Sequence, residues 1–90
     1  MKKIPFLAEA IGIVAKNIRE ESGLTTQKFA DFSQLSQSYV SLLENGDRNA
    51  TLNTLYLLAE ATQIPTHELV KRIEEERQSL LKTAERKKAE

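Results

Sequence analysis

Thr25-Thr26-Gln27-Lys28-Phe29-Ala30-Asp31-Phe32-Ser33-Gln34-Leu35-Ser36-Gln37-Ser38-Tyr39-Val40-Ser41-Leu42-Leu43-Glu44-Asn45-Gly46 reads as two short helices joined by a tight turn. Thr25 suits the cap of the first, because its hydroxyl can accept from the free backbone N–H groups of the opening turn. Phe29, Ala30 and Phe32 give that helix an apolar face. Ser33-Gln34-Leu35 breaks the pattern. Ser36 suits the cap of the second helix, whose Val40 and Leu43 are three residues apart and predict its buried side. Asn45-Gly46 ends it, since glycine tolerates the left-handed backbone at a helix C-terminus. The outward positions of the second helix are Gln37, Ser38, Tyr39, Ser41 and Leu42, and none is charged. A solvated face would be rich in Lys and Glu. A face that must approach another surface reads like this one.

Outward from that stretch, composition narrows the field. The 90 residues make one small domain, and 40% apolar with 29% charged residues predicts a folded chain. There is no cysteine and one histidine, which excludes disulfides, thiolate chemistry and most histidine-built metal sites. No apolar run approaches the roughly 20 residues that span a bilayer. The basic start at Lys2-Lys3 is followed by an apolar run that Glu9 and Lys16 cut too short for a secretory signal, so a cytoplasmic location is expected. Formal net charge is zero; residues 1–65 carry six cations and seven anions, and residues 66–90 seven cations and six anions. Charge alone does not announce a nucleic-acid partner.

Residues 6–22 predict a helix with Leu7, Ile11, Val14 and Ile18 on one face, Pro5 at its start and Gly23 at its end. Gly12 weakens it by about 1 kcal/mol relative to alanine, a sign of close packing. After the polar loop Asp47-Arg48-Asn49-Ala50, Thr51 caps a fourth helix with Leu52, Leu55, Leu58, Ala59 and Thr62 at core spacing. Gln63-Ile64-Pro65 is a break that returns Ile64 to the core. Residues 66–87 read as a last helix, docked by Leu69, Val70 and Ile73. Beyond Ile73 it is charged, and residues 85–90 are expected to fray. Leu80 and Leu81 are candidates for packing against a second subunit, or simply part of a charged tail.

These features together resemble the Cro/CI-type (Xre) helix-turn-helix domain, the lambda-repressor-like fold. The resemblance runs from about Ile11 to Leu69. It rests on Arg19, on Gly23-Leu24-Thr25-Thr26-Gln27-Lys28-Phe29-Ala30, on Ser36 to Gly46 with its Glu44-Asn45-Gly46 ending, on Arg48-Asn49-Ala50-Thr51-Leu52, and on Leu55, Leu58-Ala59 and Ile64. It implies an all-α, compact five-helix bundle: residues 1–70 as the domain, with the helix-turn-helix at 26–45, and residues 71–90 as a charged C-terminal helical extension. Two positions depart from the pattern. Gln34 stands where the turn usually has glycine, at a cost of about 1 kcal/mol if left-handed. Thr26 stands where a longer phosphate-contacting glutamine is common.

The resemblance further implies a sequence-specific transcriptional regulator that binds a palindromic site on double-stranded DNA as a homodimer, with helix 36–45 in the major groove. Gln37, Ser38 and Leu42 are then the base-edge candidates, with Ser41 at the groove or a phosphate. Gln can pair with adenine and Leu42 can meet a thymine methyl. The plainer alternative for Gln37 and Ser38 is that both are ordinary first-turn residues. Tyr39 has two readings: a phosphate contact through its hydroxyl, or a ring packed under the following loop. Thr26, Gln27, Lys28, Arg48 and Asn49 are backbone-contact candidates. Arg19 and Glu44 are expected to form a structural ion pair.

The subtype resembled most is the controller protein of restriction-modification systems. The competing function is a protein-interaction module on the same fold, such as an antitoxin or a phage or plasmid accessory factor. A weaker idea gives residues 76–90 a partner such as RNA polymerase. His67 is expected to be an exposed helix residue. No catalytic constellation, cofactor, metal, membrane or small-molecule ligand is expected, and no enzyme.

Overall fold

A computed structural model describes residues 2–89 and contains five helices: α1 (Leu7–Glu21), α2 (Thr26–Ser33), α3 (Gln37–Glu44), α4 (Leu52–Thr62) and α5 (Thr66–Ala89). Met1 and Glu90, at the outer ends of the two expected segments, lie outside the described residues. All five predicted helices are present. Three open as the sequence predicts: the Thr25 hydroxyl accepts from the Lys28 N–H, Ser36 from Tyr39 and Thr51 from Thr54, each at 3.1 Å.

The first four helices close in one way. Leu24 N–H donates to the Arg19 carbonyl, Leu35 to Ala30, Asp47 to Leu42 and Ile64 to Ala59. Each is the six-residue reverse bond that follows a left-handed residue at a helix end. Glycine fills that position after α1 and α3 (φ 70° and 77°), and glutamine fills it after α2 and α4, with Gln34 and Gln63 both at φ 58°. Gln34 therefore takes the left-handed turn that the family pattern implies, without the glycine.

Ala10, Ile11, Val14, Ala15 and Ile18 of α1 meet Phe29 and Ala30 of α2, Val40 and Leu43 of α3, Leu58 and Ala59 of α4, and Leu69 and Ile73 of α5 in a single core. Three apolar residues expected in it lie outside. Phe32 is 59% exposed, Leu52 63% and Val70 46%. In α2 the buried residues are Phe29, Ala30 and Ser33, which centre the inward face between 29 and 33 and turn residue 32 to the flank. In α4 the inward residues are Thr54, Leu58 and Ala59, and Leu52 precedes that face. In α5 Leu69 and Ile73, one turn apart, occupy the contact and Val70 falls beside it. The Ser33 hydroxyl is fully buried and has no hydrogen-bond partner among the described residues.

Two further boundaries differ from expectation. Phe6 is left-handed at φ 63° and α1 begins at Leu7, so Pro5 belongs to the turn ahead of the helix. At the other end α5 stays helical through Ala89, with Arg86, Lys87 and Lys88 in its last turn, where cations favour the helix dipole. Leu80 is partly buried against the core, and the molecule measures 43 × 23 × 22 Å.

Gly12 fixes how closely α1 meets α3. A Cβ built there would stand 2.6 Å from the Leu43 carbonyl oxygen and 2.9 Å from that of Glu44. The helix propensity that α1 gives up at this residue lets its backbone rest on the C-terminal turn of α3.

Candidate nucleic-acid interface

Gln37, Ser38 and Ser41 are exposed, Leu42 is half-buried, and Val40 and Leu43 are buried beneath them. Residues 38 and 42 are one helical turn apart, as are 37 and 41, so the four make one outward face. That face is uncharged and begins at the helix N-terminus, whose backbone N–H groups carry partial positive charge.

Its orientation is set from the opposite end. Arg19 Nε donates to Glu44 Oε2 at 2.8 Å and Arg19 Nη2 to Glu44 Oε1 at 3.1 Å, while Nη1 donates to the Leu24 carbonyl at 3.0 Å. The two side chains are only 15% and 9% exposed. The planar guanidinium matches the carboxylate in a two-point fork. Hydrogen bonding to Glu44 pushes the Arg19 pKa further up, against the opposing effect of burial, so the charge is permanent. The expected pair is present, and it ties α1, the α1–α2 turn and α3 together.

Tyr39 is half-buried with its ring packed against the core, and its hydroxyl donates to the Asn49 carbonyl at 3.4 Å. It thereby braces the loop that carries Arg48 and Asn49, both exposed. Thr26 is half-buried, and Gln27 and Lys28 are exposed. The Gln27 amide donates to Asp31 Oδ1 at 2.9 Å, one turn along its own helix, so reaching a phosphate requires it to leave that partner. Sequence reasoning found both helices, their caps, the ion pair and, as one of two readings, the packing of Tyr39 under the loop. It missed the bond from the Tyr39 hydroxyl to Asn49 and the buried Ser33, because no local pattern marks a long-range bond or the inward phase of an eight-residue helix.

Among the described residues no cluster of His, Cys, Asp and Glu could hold a metal ion, and no helix is long and apolar enough to cross a membrane. His67 is exposed on α5, as expected.

Residues 16–69 match the helix-turn-helix family. The chain belongs to the helix-turn-helix family of Cro/CI, or Xre, type. This is a family of transcriptional regulators rather than of enzymes. An uncharacterised HTH-type transcriptional regulator of Sinorhizobium fredii, y4dJ, is 41% identical to it over 64 residues, 71% of this chain and 83% of that protein. Among solved structures, the restriction-modification controller protein C.AhdI of Aeromonas hydrophila is 34% identical, with a TM-score of 0.66 over 69% of this chain and 94% of that one. The clp gene regulator ClgR of Corynebacterium glutamicum is 25% identical, with a TM-score of 0.80 over 94% of this chain and 88% of that one. α2, the turn at Gln34 and α3 all lie within the matched residues.

Proposed function

We propose that this helix-turn-helix protein is a sequence-specific transcriptional regulator that binds a palindromic operator as a homodimer. The observation that carries the reading is the uncharged outward face of α3, Gln37, Ser38, Ser41 and Leu42, held by the part-buried Arg19–Glu44 pair. In such a domain the second helix enters the major groove and the first crosses the backbone. Gln37 offers a donor and an acceptor to adenine, Ser38 accommodates several bases, and Leu42 offers an apolar contact to a thymine methyl. Thr26, Lys28, Arg48 and Asn49 meet phosphates on either side, and Gln27 does so when released from Asp31. Likeness to regulators, including a controller protein, supports this assignment.

Dimerisation doubles a thin set of phosphate contacts and puts two copies of α3 about one helical turn apart on the duplex. Selection of bound duplexes from a random pool tests the reading. A palindromic consensus is expected, and Gln37→Ala should change the preferred base at one position of each half-site. A pool that stays random, with binding to no duplex even at low salt, favours the protein-interaction module instead.

A further inference from the structure

The segment ahead of α1 folds against the DNA-facing loop. Lys3, Ile4 and Glu9 form one wall of an open cleft whose other wall is Asp47, Arg48 and Asn49. A neighbouring depression joins Lys2, Lys3, Ile4 and Leu7 to Asn49. Both place the two lysines beside the loop that follows α3. Lys2 and Lys3 are exposed, and neither makes an ion pair among the described residues.

The segment is held there from behind. Arg77 Nε on α5 donates to the Pro5 carbonyl at 3.0 Å, across 72 positions of sequence. Ile4 and Leu7 share a groove with Val70 and Ile73 of the same helix. The left-handed Phe6 turns the chain between this anchor and α1.

We propose that Lys2 and Lys3 are backbone-phosphate contacts of the DNA interface, continuous with Arg48 and Asn49, and that Arg77 is the residue that positions them. The proposal rests on the DNA-binding reading above. A lysine ammonium is a point charge on a flexible four-carbon stem, suited to a phosphate beyond the protein surface. Duplex phosphates fit better than a small free anion. Glu9 and Asp47 line the cleft and repel an anion lodged within it, whereas exposed lysines can extend past them to a line of charges outside. Lys2, Lys3 and Arg48 outnumber the two acids, so this edge is locally positive although the chain is neutral.

The test measures binding of the full chain to a labelled random-sequence duplex by fluorescence anisotropy across a sodium chloride series. Each phosphate contact contributes about 0.9 to the slope of log affinity against log salt. Lys2→Ala with Lys3→Ala should flatten the slope by about 1.8 per bound protomer with no change in melting temperature. Arg77→Ala should flatten it in the same direction, and add nothing once both lysines are gone.

If the wild-type protein binds and the double lysine variant keeps its slope, the lysine contact is overturned while DNA binding stands. If Arg77→Ala still flattens the slope without the lysines, Arg77 touches DNA itself and its positioning role is overturned. If the wild-type protein shows no salt-dependent binding, the DNA-binding reading fails and this inference fails with it. Should Arg77→Ala not fold, Arg77→Lys keeps a donor for Pro5 and should show the wild-type slope; a flattened one overturns the positioning.

Discussion

Arg19 has no way to relieve the loss of its partner. Its guanidinium stays charged at any pH the fold survives, and it sits where water reaches little of it. Removing one member of such a pair costs about 3–5 kcal/mol, because the other charge is left buried and uncompensated. Glu74 is the natural control. It pairs with Arg77 one turn along α5 and is 59% exposed, a geometry worth well under about 1 kcal/mol. In thermal denaturation Glu44→Ala should lower the midpoint by more than about 10 °C, and Glu74→Ala by a few degrees at most. Equal losses would reject the structural role of the pair. At this scale the sequence was legible where chemistry is local or paired by type, as in the caps Thr25, Ser36 and Thr51 and in the Arg19–Glu44 match. It was not legible at Phe32 and Ser33, where the apolar residue faces out and the hydroxyl faces in. Residue type alone does not say which side of a two-turn helix meets the core.

Helix ends repeat one geometry with two residue types. Gly23 and Gly46 take the left-handed position freely, while Gln34 and Gln63 hold the same backbone against steric cost. The element between α2 and α3 is therefore correct in shape and suboptimal in residue. Gln34→Gly should raise stability by about 1 kcal/mol, or roughly 4–8 °C in melting temperature, with the bonds from Leu35 to Ala30 and Gln34 to Asp31 retained. A lower melting temperature would show that the Gln34 side chain contributes more than its backbone loses. All five helices and their order were readable because α1 and α4 carry clear turn signals and a sustained apolar period. Their edges were less so: α1 starts after Phe6, and α5 runs on to Ala89.

The whole molecule leaves apolar surface outside its single core. Leu52 and Tyr56 lie one turn apart on α4, both more than half exposed, whereas Leu80 on α5 is partly covered by its own core and Leu81 is half-buried. For the proposed homodimer, the α4 pair offers the more exposed apolar seat and the α5 pair the alternative. Light scattering separates them. Leu52→Glu should yield a monomer of unchanged helicity, while truncation after Arg77 should leave the dimer intact. The opposite outcome assigns the contact to Leu80 and Leu81. Neither this surface nor the placement of Lys3 beside Arg48 could be read from the sequence, since no periodicity links residues so far apart in the chain.

The bond from Arg77 to Pro5 also governs how the protein can be handled. Anything fused ahead of Lys2 emerges beside Arg48 and Asn49, so an N-terminal purification handle would crowd the loop proposed to meet DNA. A handle placed after α5 sits at the end of a helix about 36 Å long. Affinity measured with the two kinds of fusion would differ for that reason alone, and the C-terminal one is the fair reagent.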